Sequence, residues 1–173
     1  MLLTLSAFGF GSSFIQWIHT LYNNISSCVL NNGYSTSSFS VERGVRQGDP
    51  LSAYLFIMVL EILCINIRGN DDIQGIPVDN EEIKLGLFAD DLTGFVRNNY
   101  SLTKFLNVVE RFGKCSGLNV NEEKTEILLL GNYSQTTAFN CIKTQRDTVF
   151  KKSVKILGVH FTHDKRLKKE AEL

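Results

Sequence analysis

Two adjacent aspartates between two apolar segments, in Leu87-Phe88-Ala89-Asp90-Asp91-Leu92, constrain the fold of this chain more than any other feature. Residues 83–88 and 92–96 have strand character, and the charged pair between them reads as a turn. The expectation is an antiparallel hairpin with both carboxylates at its tip. Neighbours on a regular strand point to opposite faces, whereas a tight turn can present both to one side. Adjacent carboxylates repel, and a hard divalent cation such as Mg²⁺ relieves the repulsion, binding through one or two carboxylates plus substrate phosphates. An ordinary polar hairpin turn is the alternative, because Asp is common in turns.

The second informative element is Arg43-Gly44-Val45-Arg46-Gln47-Gly48-Asp49-Pro50-Leu51-Ser52. Asp is a preferred N-cap and Pro is favoured at the first helical position, so a long helix is expected from Asp49, with Leu51, Leu55, Met58, Ile62 and Ile65 on one buried face. A glycine-punctuated loop leading into a helix N-terminus favours a phosphate, since free backbone N–H groups and the helix dipole meet there. Arg46 adds a charge-assisted donor, and Gln47 can hydrogen-bond a base or sugar. A well-capped helix after a surface turn is the alternative.

The rest of the chain supports one domain. It has 173 residues, 43% of them hydrophobic and 21% charged, which suits a globular core and excludes a disordered chain. Helices are expected after Gly9–Ser13, capped by Ser12 or Ser13 and carrying Phe14, Trp17, Ile18 and Leu21, and again from Ser101, with Leu102, Phe105, Leu106, Val109 and Phe112 on one face and Gly113 and Gly117 ending it. Short strands are expected at 27–30 and 36–41 around Asn31-Asn32-Gly33, then at 125–130 and 154–161, with 70–80 as a polar, turn-rich stretch. This order favours an α+β fold with an antiparallel β-sheet packed against helices. The four cysteines, Cys28, Cys64, Cys115 and Cys141, have neither zinc-site spacing nor disulfide density, so reduced thiols and no disulfide-linked partner are expected. No basic region follows Met1, which speaks against a secretory signal and for an intracellular protein, nuclear or cytoplasmic. Residues 51–67, interrupted by Ser52, Glu61 and Asn66, read as a buried helix rather than a membrane span. His160 and His163 read as a strand-end pair, and Phe14 and Trp17 as core residues rather than base-stacking platforms.

The net charge is zero but unevenly spread. No Asp, Glu, Lys or Arg precedes Glu42, residues 42–96 carry ten acids against four bases, and residues 151–173 carry seven bases against three acids. A protein that grips nucleic acid unaided usually has a basic surplus.

Taken together, these motifs resemble the palm of reverse transcriptases, specifically the non-LTR (LINE-type) retrotransposon kind. Gly44-Val45-Arg46-Gln47-Gly48-Asp49-Pro50-Leu51-Ser52 is similar to that family's loop-and-helix motif, and Phe88-Ala89-Asp90-Asp91 to its aromatic-x-Asp-Asp metal box. Gly117-Leu118-Asn119-Val120-Asn121 through Lys124-Thr125-Glu126, and Lys155-Ile156-Leu157-Gly158-Val159, resemble the next two motifs in order. The resemblance implies an RNA-directed DNA polymerase using two Mg²⁺ or Mn²⁺ ions, with an RNA template, a DNA primer and a dNTP as partners and no membrane. It implies Asp90 and Asp91 as metal ligands and catalytic residues, and Lys124 as a proton donor near the triphosphate. It further implies Arg46, Gln47, Gly48 and Phe88 as the substrate-binding set.

The family also uses a third aspartate, on a strand before the first helix, and no Asp precedes Asp49 here. The expected organisation is therefore a partial palm over 1–163, beginning after the strand with the first metal Asp, and a basic tail over 164–173 leading toward a thumb. Such a chain is expected to be inactive alone. The rival from another class is a non-enzymatic transposon relic, or a palm fold kept only for nucleic-acid or protein binding. A nucleotide-cyclase-like palm would keep the metal box but would not explain the Arg46-to-Ser52 loop or the Lys124 motif.

Overall fold

The structure, a computed structural model, describes residues 1–42, 44–121, 123–130 and 150–162. Arg43, Cys141, His163 and the basic tail lie outside them. The chain divides into two compact units, Met1–Cys64 and Ile65–Leu173.

The first unit begins with helices α1 (Leu2–Ala7) and α2 (Ser12–Tyr22). The break between them falls at Gly9, whose φ of +79° costs an L-residue but not glycine. The expected serine cap of α2 is absent. Gly11 occupies the N-cap and Ser12 already belongs to the helix. Four short strands follow: β1 (Ser26–Ser27), β2 (Leu30–Asn31), β3 (Tyr34–Ser35) and β4 (Phe39–Ser40). β2 and β3 form a hairpin across Asn32-Gly33, both at positive φ as a primed two-residue turn demands, and β1 pairs antiparallel with β4 outside it. Helix α3 (Pro50–Arg68) completes the unit with its first turns. Leu5, Ile18 and Leu55 form the buried core here, flanked by Phe14, Leu51 and Met58. Trp17 departs from expectation, lying 66% exposed, and so does Ile65 on α3. At 19 residues with a mean hydropathy of 2.0, α3 reaches the length and composition of a membrane-spanning helix, contrary to the sequence reading. Its Leu51, Leu55 and Met58 nevertheless pack against the protein core.

In the second unit, β5 (Ile76–Val78) and β6 (Glu81–Ile83) form a hairpin, followed by β7 (Leu85–Phe88) and β8 (Asp91–Gly94), which form another. The first of these lies in the stretch read as polar loop. Helix α4 (Asn99–Ser116) starts two residues earlier than expected. Asn98 is its N-cap, its side chain accepting the Ser101 N–H at 2.8 Å. Gly113 lies inside α4 rather than ending it. Gly117 is the left-handed C-cap, its N–H donating to the Gly113 carbonyl. Buried Ser101 ties the helix start to the preceding segment, donating to the Asp72 carbonyl and accepting from the Gln74 N–H. Tyr100 and Lys104 both bond the Asp72 carboxylate, and the Lys104 bond chiefly holds that carboxyl below its ordinary range and raises the lysine. The remaining strands are β9 (Ile127–Leu128), β10 (Phe150–Lys151), β11 (Ser153–Ile156) and β12 (Val159–Thr162). The single strand expected over 154–161 is instead the β11–β12 hairpin, turned at Leu157-Gly158, both at positive φ. Among the described residues the strands pair two by two, antiparallel except for β9 with β10. The mixed α+β class stands, but the pairs do not join into the one sheet expected.

Lys84 closes the end of α3. Its ammonium, on a side chain only 9% exposed, donates to the carbonyls of Arg68 and Asn70 at 3.0 and 2.9 Å. The first belongs to the last turn of α3, whose carbonyls look beyond the helix for donors, and the second also accepts the Ile73 N–H at 3.1 Å. Lys84→Met keeps the stem and removes the donors, so it should destabilise the protein by about 1–3 kcal/mol, read as a lower urea midpoint at unchanged slope.

Candidate active site

The acidic tip stands on the β7–β8 hairpin. The register pairs Leu85 with Gly94, Leu87 with Leu92, and Phe88 with Asp91, leaving Ala89-Asp90 as a two-residue turn. Ala89 takes φ +52°, an unfavourable conformation for a residue with a Cβ. Leu85, Gly86, Leu87, Leu92 and Thr93 are half-buried, whereas Phe88, Ala89, Asp90 and Asp91 are exposed. The apolar stems thus hold the hairpin and present both carboxylates to solvent together with the Phe88 ring, 66% exposed. Two exposed carboxylates at one turn are the hard oxygen donors a divalent cation takes, and they fit such an ion. Among the described residues, no group of three His, Cys, Asp or Glu side chains converges to hold a metal.

Lys124 lies on a separate turn after α4. Asn121 organises that turn, its side-chain oxygen accepting the N–H groups of Glu123 and Lys124, and its carbonyl accepting the Thr125 hydroxyl. The Lys124 side chain is exposed.

The second element belongs to the first unit. Val45 packs against the Leu5–Ile18–Leu55 core and anchors the loop. Gln47 and Gly48 form an exposed turn, with Gly48 at φ +85° and open space where a Cβ would stand. Glycine is needed there for its backbone, not for room. The N-terminus of α3 differs from the sequence reading of a phosphate cradle. Asp49 Oδ1 accepts the Leu51 N–H at 3.0 Å, and the Asp49 carbonyl accepts the Ser52 N–H at 3.1 Å. Those donors are already satisfied, and the capping group is itself an anion. Arg46 is likewise engaged. Its guanidinium donates to the Leu21 carbonyl at 2.7 Å and lies 5.6 Å over the Tyr22 ring. Sequence reasoning missed Tyr22. Its hydroxyl meets Ser52 Oγ at 2.8 Å and Asp49 Oδ2 at 3.3 Å. An aromatic with a polar tip at the end of an amphipathic helix was the available signal.

A family model described as reverse transcriptase (RNA-dependent DNA polymerase) matches residues 2–161. The Pol polyprotein of the type-2 retrotransposable element R2DM of Drosophila melanogaster is 32% identical over 121 residues, 70% of this chain and 11% of that protein. A retrovirus-related Pol polyprotein from a type-1 retrotransposable element R2 of Popillia japonica is 32% identical over 61% of the chain and 15% of its own length. A 149 kDa protein of transposon TX1 from Xenopus laevis is 27% identical over 92% of the chain and 12% of its own length. The chain therefore spans between about a tenth and a seventh of these relatives.

Proposed function

This chain belongs to the reverse transcriptase family, of the non-LTR retrotransposon kind, and from that premise we propose that it carries the nucleotidyl-transfer residues of an RNA-directed DNA polymerase. The observation that carries the reading is the exposed Asp90-Asp91 pair, raised on an apolar-stemmed hairpin within the matched residues.

In this reading Asp90 and Asp91 hold divalent cations, Mg²⁺ by the hardness of the donors. When bound, such ions supply positive charge to a phosphoryl transition state. The chain's own residues bind and orient. Gln47 offers an amide to the base or sugar of an incoming dNTP, and Gly48 lets the backbone approach it closely. Arg46 has N–H donors beyond the one spent on Leu21, which suit a phosphate oxygen. Phe88 offers its ring face to the nucleotide beside the acidic tip. Lys124 gives a proton to the departing pyrophosphate. RNA template and DNA primer are the partners this reading requires, and the palm of a polymerase is the fold it assigns.

The test is primer extension on an RNA template with Mg²⁺, using a protein of the relatives' length that carries these 173 residues. Template-directed DNA is the expected product. A well-folded protein that binds template–primer yet extends nothing would overturn the reading and favour a binding module.

A further inference from the structure

We propose that Tyr22 is a positioning residue for nucleotide binding, acting on the Gln47-Gly48 turn through both of that turn's flanks; this rests on the polymerase reading above. A turn with glycine at positive φ and no side-chain packing of its own is intrinsically loose. Here its two ends are fixed to one side chain. On the N-terminal flank, Arg46 lies 5.6 Å over the Tyr22 ring and donates to the neighbouring Leu21 carbonyl. On the C-terminal flank, the Tyr22 hydroxyl reaches Asp49 Oδ2 at 3.3 Å and Ser52 Oγ at 2.8 Å. A tyrosine has one proton to give. The Tyr22 hydroxyl gives that proton to Asp49 Oδ2, so the Ser52 hydroxyl, buried with its residue at 4% exposure, donates to Tyr22. The result is a directed chain, Ser52 to Tyr22 to Asp49, and Asp49 also accepts the Leu51 N–H that starts α3. The ring clamps one flank and the hydroxyl the other, so the turn between them has few ways to move. Preorganisation of this kind acts on ligand affinity rather than on the chemical step.

Tyr22→Phe separates the two halves, since it keeps the ring under Arg46 and removes the hydroxyl. In RNA-templated primer extension by a protein of the relatives' length, Tyr22→Phe should raise KM for dNTP about 5–10-fold, leave kcat within about twofold, and leave the Kd for template–primer unchanged. Ser52→Ala should produce the same shift, and the double variant should be no worse than the poorer single, because both remove one shared hydrogen-bond chain. An unchanged dNTP KM in Tyr22→Phe, a fall confined to kcat, or additive losses would each overturn the proposal. If Tyr22→Phe fails to fold, Ser52→Ala alone reads the same chain, and an unchanged KM there has the same force. Asp90→Asn run beside them separates the two levels. Retained extension in Asp90→Asn sinks the polymerase reading itself, whereas a dead Asp90→Asn with an unshifted Tyr22→Phe sinks only the role of Tyr22.

Discussion

Asp90→Asn, placed in a protein of the relatives' length, should lower primer extension by about a thousandfold or more while leaving the fold intact. The amide keeps the shape of the carboxylate and removes its charge. A site that stabilises phosphoryl-transfer charge through a bound cation stands to lose several kcal/mol of barrier lowering, and each ~1.4 kcal/mol is tenfold in rate. The fold should not notice, because Asp90 is exposed in a two-residue turn whose strands are held by Leu87, Leu92 and their neighbours. Thermal unfolding should agree with the unsubstituted protein to within about 0.5 kcal/mol. The 173-residue chain by itself should show no extension. A two-ion site holds its ions about 3.5–4 Å apart, which takes more carboxylate than one adjacent pair, and no third acid joins Asp90 and Asp91 among the described residues. Extension by the chain alone would show that the pair suffices. Full extension by Asp90→Asn would place the reacting phosphate somewhere else on the molecule.

The features legible in the sequence were those whose cause is local. Asn32-Gly33 announces its turn through two residues that tolerate positive φ, and Asp49-Pro50 announces α3 through a cap and a preset φ. The hairpin bearing Asp90 and Asp91 showed itself because both of its stems are apolar. The β5–β6 hairpin did not, because its exposed residues, Val78, Asp79, Asn80 and Glu81 among them, read as loop. What holds it is not a pattern of apolar residues but the Glu82 carboxylate on the Gly75 N–H and the close approach of the Gly75 and Ile83 backbones. For a related reason Arg46 gave no sign of what it bonds. Its Leu21 partner lies 25 residues away, and a loop sequence does not reveal which distant carbonyl is left unpaired at a helix end. Gly113 looked like a helix stop, yet it is interior because the chain leaving Gly117 brings the Leu118 carbonyl against it, 2.7 Å from where a Cβ would be.

The same logic makes Gly94 the position where one methyl group should do most harm to the hairpin that presents the aspartates. Gly94 ends β8 opposite Leu85, and it faces the ring of Phe105, which is buried on α4 at 7% exposure. A Cβ there would stand 2.7 Å from Cζ and 3.0 Å from both Cε atoms of that ring. A flexible side chain could swing its end aside, but a buried aromatic ring offers the new methyl its whole edge. Gly94→Ala should therefore cost about 1–3 kcal/mol through overpacking, against the small gain alanine normally brings by stiffening the unfolded chain. Phe105→Leu alone should cost a similar amount, because it vacates ring volume. The two changes should not add. In Gly94→Ala/Phe105→Leu the methyl occupies part of the space the ring gives up, so the double variant should be more stable than the sum of the singles predicts, by at least about 0.5 kcal/mol. Urea unfolding of the four proteins measures that coupling directly. Additive losses would mean that the β8–α4 contact yields by backbone movement, and the hairpin would then be less rigidly seated on α4 than its packing implies.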